Sequence, residues 1–382
     1  MALFPLTAFS FLFHLYVGWR VAPGLSVWPT GQVAFIAMLI ASALLMPMAM
    51  LSRRVRSQPA SDLLAWAGSL CMGLFSSLFV LTFLRDAVLL AAFLVTLLAP
   101  LALSLTVLSS WTAAGVPLAG LVITLAGLVN ARRTAAVTVV EVPLHDLPPA
   151  LHGFSVAQIS DIHVGPTIKA KYLQAIVNKV NALNADMVAV TGDLVDGSVR
   201  ELGPHVAPLA SLTSTHGTYF VTGNHEYYSG AHAWIAELRR LGVQVLMNEH
   251  VVLRHGGAGL IVAGVADYSA HHFDESHRSD PHAAIAGAPA AVATRILLAH
   301  QPRSAQAAAD AGFQLQLSGH THGGQFLPWN FFVQLQQPFT AGLHRLKDLW
   351  VYTSRGTGYW GPPKRFGAPS EITHLKFVPA TT

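Results

Sequence analysis

The first third of this sequence has very little charge. Residues 1–134 contain seven Arg and two Asp, with no Lys, no Glu and one of the chain's 19 His. Seven Arg and two Asp give residues 1–134 a formal charge of +5. The remaining residues have 16 Lys+Arg and 17 Asp+Glu, a formal charge of −1, so the whole chain has a formal net charge of +4. Because no stripe of Lys or Arg runs along the second part, we expect no nucleic-acid partner. The contrast predicts two parts with different surroundings, lipid for the first and water for the second.

Cysteine is almost absent as well. The single residue, Cys71, lies in an apolar run, which excludes an internal disulfide and a cysteine-rich metal site. The sequence also has no Gly-rich loop of the phosphate-cradling type and no Gly-x-Ser-x-Gly turn that would present a nucleophilic serine. These absences exclude a cysteine-based site and give no support to nucleotide binding by such a loop or to a serine hydrolase of that type.

What fills the first part is apolar sequence in about five runs, with the Arg residues placed at their ends. The middle three reach the ~20 residues that cross a hydrocarbon core. The runs are roughly residues 3–17, 33–51, 63–84, 87–108 and 113–129. We therefore predict a transmembrane region over 1–134 with about five helices, followed by a catalytic domain over 135–382. A soluble bundle would need charges on its outer face that are missing here, and a cleaved signal peptide would not be followed by further apolar runs.

These runs predict a multi-pass protein of the cell membrane in contact with the lipid bilayer. With five spans, the Arg residues divide four to three between the two sides, a margin at which the positive-inside rule does not decide. The shortness of the loop at 53–56 and the resemblance described below favour, by a small margin, an external catalytic domain.

From Thr134 onward, short apolar segments alternate with amphipathic ones. Segments typical of strands cover residues 135–142, 154–159, 187–190, 219–222, 260–265, 295–299 and 315–317. Helical spacing occurs over 170–183, 234–241 and 306–311. This alternation predicts an α/β domain. A polar, His-rich loop is expected over 271–282, where substrate specificity could reside.

Five of the predicted strands end in a polar motif. The motifs are Asp161-Ile162-His163, Gly192-Asp193, Gly223-Asn224-His225-Glu226, Ala299-His300-Gln301-Pro302 and Gly319-His320-Thr321-His322-Gly323-Gly324. Strand ends at the carboxyl edge of a sheet converge on one place. They would bring together carboxylates, an amide oxygen and imidazoles, a ligand set that suits Mn, Fe, Zn or Co. Taken singly, each motif is weak evidence for a metal site. Two nearby acids are also ambiguous: Asp196 fits a loop acid or a helix cap, and Glu226 fits a solvated charge.

Taken together and in order, these motifs resemble the calcineurin-like metallophosphoesterases over roughly residues 150–378. A closer resemblance is to a bacterial branch of membrane-associated or exported members. That likeness is carried by Gly264-Val265-Ala266-Asp267-Tyr268, Arg355-Gly356-Thr357-Gly358, Arg365-Phe366-Gly367 and Pro369-Ser370-Glu371-Ile372. The resemblance implies a calcineurin-like phosphoesterase fold, in which two packed β-sheets are flanked by helices.

The resemblance also implies roles for individual residues. Asp161, His163 and His322 would hold one divalent metal ion. Asn224, His300 and His320 would hold a second, and Asp193 would bridge the two. His225 would then be the catalytic residue that contacts the phosphoryl oxygen or protonates the leaving group.

The favoured function is therefore that of a membrane-anchored hydrolase of a phosphomonoester, phosphodiester or pyrophosphate, in which a hydroxide bridging two metal ions attacks phosphorus. We extend this hypothesis to a lipid-linked substrate, because the apolar part far exceeds a single tether. Two alternatives stay open at this stage. One is a membrane transport or sensor protein whose soluble domain binds metal or ligand without turnover; the other is a cyclic-nucleotide phosphodiesterase with a passive anchor.

Overall fold

The computed structural model describes residues 3–52, 55, 57–98 and 104–380, with side chains from residue 7 onward. The chain divides into two compact units. A helical unit comprises Met1–Arg132 together with Gly361–Phe366, and a catalytic unit comprises Arg133–Trp360 and Gly367–Thr382.

The helical unit contains four α-helices in the described residues. They are α1 (Leu3–Val21), α2 (Pro29–Leu51), α3 (Gln58–Leu98) and α4 (Leu105–Arg132). By length and composition, α2, α3 and α4 are apolar enough to cross a membrane. The predicted runs 63–84 and 87–108 are not separate helices, since α3 continues through the charged pair between them. The number of membrane crossings stays a prediction.

Arg85 and Asp86, expected to mark the end of a run, lie inside α3. The buried Arg85 guanidinium donates to the carbonyl oxygen of Arg20 at 2.9 Å and to Ser109 Oγ at 2.9 Å. Asp86 in turn accepts from Arg20 Nε at 2.9 Å and from the Tyr16 hydroxyl at 2.8 Å. Because Arg85 and Asp86 have these polar partners, α3 tolerates two charges at a position where the pattern of apolar runs predicted a boundary.

Gly361–Phe366, which the sequence assigned to the catalytic domain, packs within the helical unit. The ammonium group of Lys364 is buried there and donates to the Gly73 carbonyl oxygen at 2.9 Å, Ser76 Oγ at 2.8 Å and Ser77 Oγ at 2.7 Å. Three acceptors match the three donors of an ammonium group, which is what burial of a lysine requires.

The catalytic unit is built on two six-stranded mixed sheets. The first has the order β1 (Ala136–Leu144), β12 (Glu371–Pro379), β2 (Ser155–Ile159), β3 (Met187–Val190), β4 (Thr218–Phe220) and β5 (Gln244–Val245). The second has the order β10 (Gly342–Leu346), β11 (Leu349–Thr353), β9 (Leu315–Ser318), β8 (Thr294–Leu298), β7 (Ala258–Gly264) and β6 (Glu249–His255). Parallel pairing joins β2 to β3 to β4 and β7 to β8 to β9.

The core of the catalytic unit is formed by apolar side chains from both sheets. Met187 and Phe377 of the first sheet belong to the same buried cluster as Leu298 and Leu317 of the second. The helices of this unit are α5 (Ala170–Asn181), α6 (Val199–Val206), α7 (Asn224–Ser229), α8 (Ala231–Arg240), α9 (Pro281–Ile285), α10 (Ala305–Asp310) and α11 (Trp329–Gln336). Two packed sheets flanked by helices confirm the fold that the resemblance implied.

The predicted strands and helices of the catalytic domain all occur, with ends that differ by a few residues. One informative difference is β1, which continues through Pro143 to Leu144 although proline was expected to end it. β1 is an edge strand paired only with β12, so the missing N–H of Pro143 can face away from the ladder.

Candidate metal centre

The candidate centre forms where strands of both sheets end. Asp161 and His163 follow β2, Asp193 follows β3, and Asn224 and His225 begin α7 shortly after β4. From the second sheet, His300 follows β8, and His320 and His322 follow β9. These eight are the residues predicted from the sequence, and the structure brings them together at one edge of the two sheets.

Ligand atoms gather in two groups. In the first, His163 Nε2 lies 3.0 Å from His322 Nε2, which is 3.6 Å from Asp161 Oδ1. In the second, His320 Nδ1 lies 3.1 Å from Asn224 Oδ1 and 3.2 Å from His300 Nε2. The second group is therefore compact, and it includes the amide oxygen predicted from the turn at Asn224.

Asp193 stands between the two groups. Its Oδ2 is 3.2 Å from His300 Nε2 in the second group and 3.9 Å from His163 Nε2 in the first. The same oxygen is 4.0 Å from His225 Nε2, so His225 can also be grouped with His163 and Asp193 as a possible ligand set. One carboxylate thus reaches both clusters of imidazoles.

The side chains fit divalent cations better than they fit one another. Two neutral imidazoles whose nitrogens approach at 3.0–3.2 Å can share at most one proton, whereas lone pairs aimed at one point suit a cation. Asp161 Oδ2 is buried without a hydrogen-bond partner among the described residues. A buried carboxylate oxygen left in this state is costly unless a cation satisfies it.

The imidazole of His320 is held in the form that binds metals. Burial, and then the nearby charge of His300, lower the pKa of His320 to about 3. Its ring is therefore neutral at physiological pH, as a metal ligand must be.

Three glycines make room for the side chains of the candidate centre. A Cβ at Gly223 would overlap the Asp193 carboxylate, and a Cβ at Gly319 would overlap the side chains of Ser160 and Asp161. Gly192 has a φ of +84°, and a Cβ there would come within 2.7 Å of His300 Nδ1. No other residue type fits these three positions without displacing a ligand.

The backbone of the centre is itself unusual. Five of the eight predicted site residues are non-glycine residues with positive φ. They are Asp161 (54°), His163 (56°), Asp193 (52°), His320 (71°) and His322 (51°). Each such residue costs about 1–3 kcal/mol and persists where the surrounding structure holds it, most often at functional sites.

Two acidic residues that the sequence left ambiguous belong to the centre. Glu226 is fully buried rather than solvated, and its carboxylate accepts the backbone N–H groups of Gly223 at 2.6 Å, Leu194 at 2.8 Å and Asp193 at 3.0 Å. It therefore joins the two loops that carry Asp193 and Asn224. The motif Gly223-Asn224-His225-Glu226 could have predicted the bond from Gly223 to Glu226, because a carboxylate three residues after a turn can reach back to the backbone.

Asp196 is the second such residue. It is not a helix cap, since α6 begins after Ser198. Its carboxylate instead lies 2.5 Å from Nδ1 of His225 and 3.3 Å from Nδ1 of His163. Burial lowers the pKa of His225, but the charges of Asp193 and Asp196 outweigh this and raise it to about 9. Bound cations would oppose that rise, because they offset the charge of Asp193.

The chain is similar to a known family model and to several known proteins. A family model described as "Calcineurin-like phosphoesterase" matches residues 154–324. The chain is 44% identical over 266 residues to "Transmembrane protein with metallophosphoesterase domain" of Bos taurus, covering 66% of this chain and 60% of that protein. An "Uncharacterized metallophosphoesterase" of Helicobacter pylori (strain ATCC 700392 / 26695) is 40% identical over 223 residues, which are 58% of this chain and 59% of that protein.

A further relative is covered over most of its length. The "Uncharacterized metallophosphoesterase" of Aquifex aeolicus (strain VF5) is 31% identical over 218 residues, which are 56% of this chain and 80% of that protein. By contrast, the chain spans about 60% of the length of the Bos taurus relative. Fold and site together define the class of metal-dependent phosphoesterases. The chain belongs to the calcineurin-like phosphoesterase family, as its motifs predicted, and its apolar helices make it a membrane protein.

Proposed function

We propose that this chain is a membrane-associated phosphoesterase that uses two divalent metal ions to hydrolyse a phosphomonoester, phosphodiester or pyrophosphate. The observation that carries the proposal is the position of Asp193 Oδ2, within 3.2 Å of His300 and 3.9 Å of His163, between two groups of ligand atoms. A carboxylate has the two oxygens needed to serve both groups.

In this proposal Asp161, His163 and His322 hold one ion and Asn224, His300 and His320 hold the other. Divalent ions bound there supply an activated water and positive charge for the phosphoryl oxygens. His225 protonates the leaving oxygen through Nε2, because Asp196 holds its Nδ1 at 2.5 Å. The Asp196 carboxylate favours the protonated form of His225, which a proton donor needs.

The substitution Asp193→Asn tests this assignment, since it keeps the shape of a buried side chain and removes its charge. We expect turnover of an aryl phosphate ester with added Mn²⁺ to be lost and bound metal to fall, while circular dichroism stays unchanged. Asp348→Asn is the matched control, because the Asp348 side chain is 97% exposed. Near-normal turnover with two bound ions in Asp193→Asn would refute the bridging role. Metal binding by the unaltered protein without turnover would favour the sensor alternative.

We also propose that the substrate is lipid-linked. Apolar side chains of α11 are exposed in the catalytic unit, among them Phe331, Phe332 and Leu335. Trp329 on the same helix lies 6.4 Å from Trp360, whose ring is 5.8 Å from that of His225. An apolar surface therefore continues from the proposed proton donor along α11. Burial of each CH₂ of a lipid chain on such a surface contributes about 0.8 kcal/mol.

The double substitution Phe331→Ser and Leu335→Ser tests the lipid proposal in the full-length protein in detergent. We expect kcat/KM for a lipid-linked pyrophosphate to fall about tenfold, which corresponds to ~1.4 kcal/mol. The value for a soluble aryl phosphodiester should not change. Val139→Ser is the control, because Val139 is also exposed but lies on β1. Equal losses on both substrates, or none on either, would contradict the proposal.

For the orientation, we propose that the catalytic domain is cytoplasmic. This proposal replaces the expectation of an external domain, which assumed five membrane spans. Arg53, Arg54 and Arg56 precede α3, and Arg132 and Arg133 lie at and just after the end of α4. If α3 and α4 each cross the membrane once, these five residues share the side of the catalytic domain, whether or not α1 crosses. Arg20 alone lies at a helix end on the other side, because Arg85 is buried. The positive-inside rule then favours the cytoplasm.

Fusion of reporters to the C-terminus tests this orientation in bacterial cells. A green fluorescent protein fusion should fluoresce and an alkaline phosphatase fusion should be inactive, because the first folds in the cytoplasm and the second needs an oxidising compartment. The opposite pair of results would place the domain outside.

A further inference from the structure

A second cluster of metal-ligating side chains lies in the catalytic unit and shares no residue with the candidate metal centre. His232, Asp274 and His277 each offer one ligand atom, and these atoms lie within 4.8 Å of one another. His232 is in the first turn of α8, while Asp274 and His277 belong to the His-rich loop at 271–282. The site would therefore join that loop to the helix that follows α7.

The cluster has partners that orient its side chains. His232 Nε2 lies 2.8 Å from Asp274 Oδ2, and Asp274 Oδ1 accepts from Ser276 N–H at 3.0 Å and from Ser276 Oγ at 2.6 Å. Nδ1 of His277 is 2.9 Å from the hydroxyl of Tyr227, which leaves the other ring nitrogen for a ligand bond. Metal-binding histidines commonly have such a partner, because it fixes the tautomer and the direction of the ring.

The donor set indicates which ion would bind. Two imidazoles and one carboxylate form a borderline ligand set that Zn²⁺, Co²⁺ or Ni²⁺ takes in preference to Mg²⁺ or Ca²⁺. Three protein ligands leave a further coordination position for water.

We propose that His232, Asp274 and His277 form a third, peripheral site for a divalent transition metal ion, of which Zn²⁺ is the natural probe. The site would fix the loop against α8, which directly follows α7. Phe273 of the loop packs on Tyr227 and Tyr228, with ring centroids 5.8 and 5.5 Å apart, and Tyr228 lies 5.2 Å from His225. An ion at this position thus holds the aromatic side chains of Phe273, Tyr227 and Tyr228 beside the proposed proton donor.

Zinc content of the full-length protein in detergent tests this site. After saturation with Zn²⁺ and removal of free ion, we expect the double variant His232→Ala and His277→Ala to contain one Zn²⁺ per chain fewer than the unaltered protein. The control is His271→Ala with His272→Ala, in the same loop but outside the cluster, which should lose none. Hydrogen exchange over residues 270–277 should slow on addition of Zn²⁺ in the control and not in the cluster variant.

The loss of one ion is independent of how many ions the candidate centre holds. A difference of one per chain would therefore stand even if the proposed dinuclear centre failed, and a failure here would leave that centre untouched. Equal zinc content in the unaltered protein and the cluster variant, with the same exchange rates, would overturn the proposal and leave a histidine–carboxylate pair on the surface.

Discussion

Asp196 lies against Nδ1 of two imidazoles, 2.5 Å from His225 and 3.3 Å from His163. His225 differs from His163 at Nε2, which lies 4.0 Å from Asp193 Oδ2, whereas Nε2 of His163 lies 3.0 Å from Nε2 of His322. The other imidazoles of the centre point nitrogens at one another or at Asp193, as ligands of a common ion do. This difference is the reason for assigning His225 to the substrate.

We predict that His225→Ala keeps the bound metal and lowers kcat by ~10²–10⁴, the usual contribution of one acid–base group. The loss should be larger for an alkyl ester than for a nitrophenyl ester, because a poor leaving group needs the proton more. Steady-state kinetics on both esters, with metal analysis of the same samples, measures this. Loss of one metal ion from the variant would make His225 a ligand, and equal losses on both esters would contradict its role as the proton donor.

At the level of single residues, the ligand set is a prediction that the sequence allowed because each proposed ligand comes within four residues after an apolar strand. It did not predict the functions of Asp196 and Glu226, because these depend on contacts between separate loops. Glu226 bonds to the backbone at residues 193 and 194, more than 30 positions earlier in the chain. The positive φ angles of Asp161 and Asp193 were also not predictable, since Asp adopts such angles more readily than most residues but only the surrounding structure decides where.

Among the structural elements, the turn between β4 and α7 leaves no room for a side chain at Gly223, where a Cβ would overlap the Asp193 carboxylate. Gly223 precedes Asn224, and its N–H donates to Glu226 at 2.6 Å. We predict that Gly223→Ala displaces the Asp193 carboxylate and therefore reduces bound metal and turnover together. Metal content and activity of the purified variant check this.

Gly203→Ala is the matched control for that substitution. Gly203 lies within α6, and a Cβ there would meet its nearest neighbours at 3.8 Å, an ordinary contact. Alanine also favours a helix over glycine by about 1 kcal/mol, so this variant should be fully active. Unchanged metal binding in Gly223→Ala would show that the turn adjusts, and the account of close approach would be wrong.

The strands β8 and β9 position three of the proposed ligands, and their side chains fill the space between the sheets. Leu317 of β9 is fully buried in that core. We predict that Leu317→Ala lowers the free energy of unfolding by about 2–5 kcal/mol, the cost of a core cavity. Leu335→Ala, at a position whose side chain is largely exposed, should change it by less than about 0.5 kcal/mol. Denaturation followed by hydrogen exchange in β8 and β9 measures the difference, and similar values for both variants would contradict it.

The elements were predictable from sequence to the extent that hydrophobic periodicity determines them. β3 was predicted over the residues it occupies, Met187–Val190, because a short apolar run bounded by polar residues has few other interpretations. α3 was divided wrongly into two runs, because the charge of Asp86 is paired with Arg20 on another helix, and Arg85 donates to the Arg20 carbonyl oxygen. A tertiary partner of this kind leaves no local signal.

For the whole molecule, composition separated a helical part from a catalytic part, and the two compact units follow that division apart from Gly361–Phe366. The exception was not predictable, because the polar residues of this segment are typical of a surface loop. Lys364 is buried only because a carbonyl and two hydroxyls of α3 accept its protons. The arrangement of strands in two sheets came from the resemblance, since spacing alone does not distinguish one sheet from two.

The dinuclear centre is the central claim, and stepwise addition of Mn²⁺ to metal-depleted full-length protein tests it most directly. Turnover of an aryl phosphate ester and the electron paramagnetic resonance spectrum are followed together. We predict that activity rises with the second bound ion and that the spectrum then shows two coupled Mn²⁺ ions, because Asp193 joins their sites. Full activity with one bound ion, or two ions without magnetic coupling, would contradict the account.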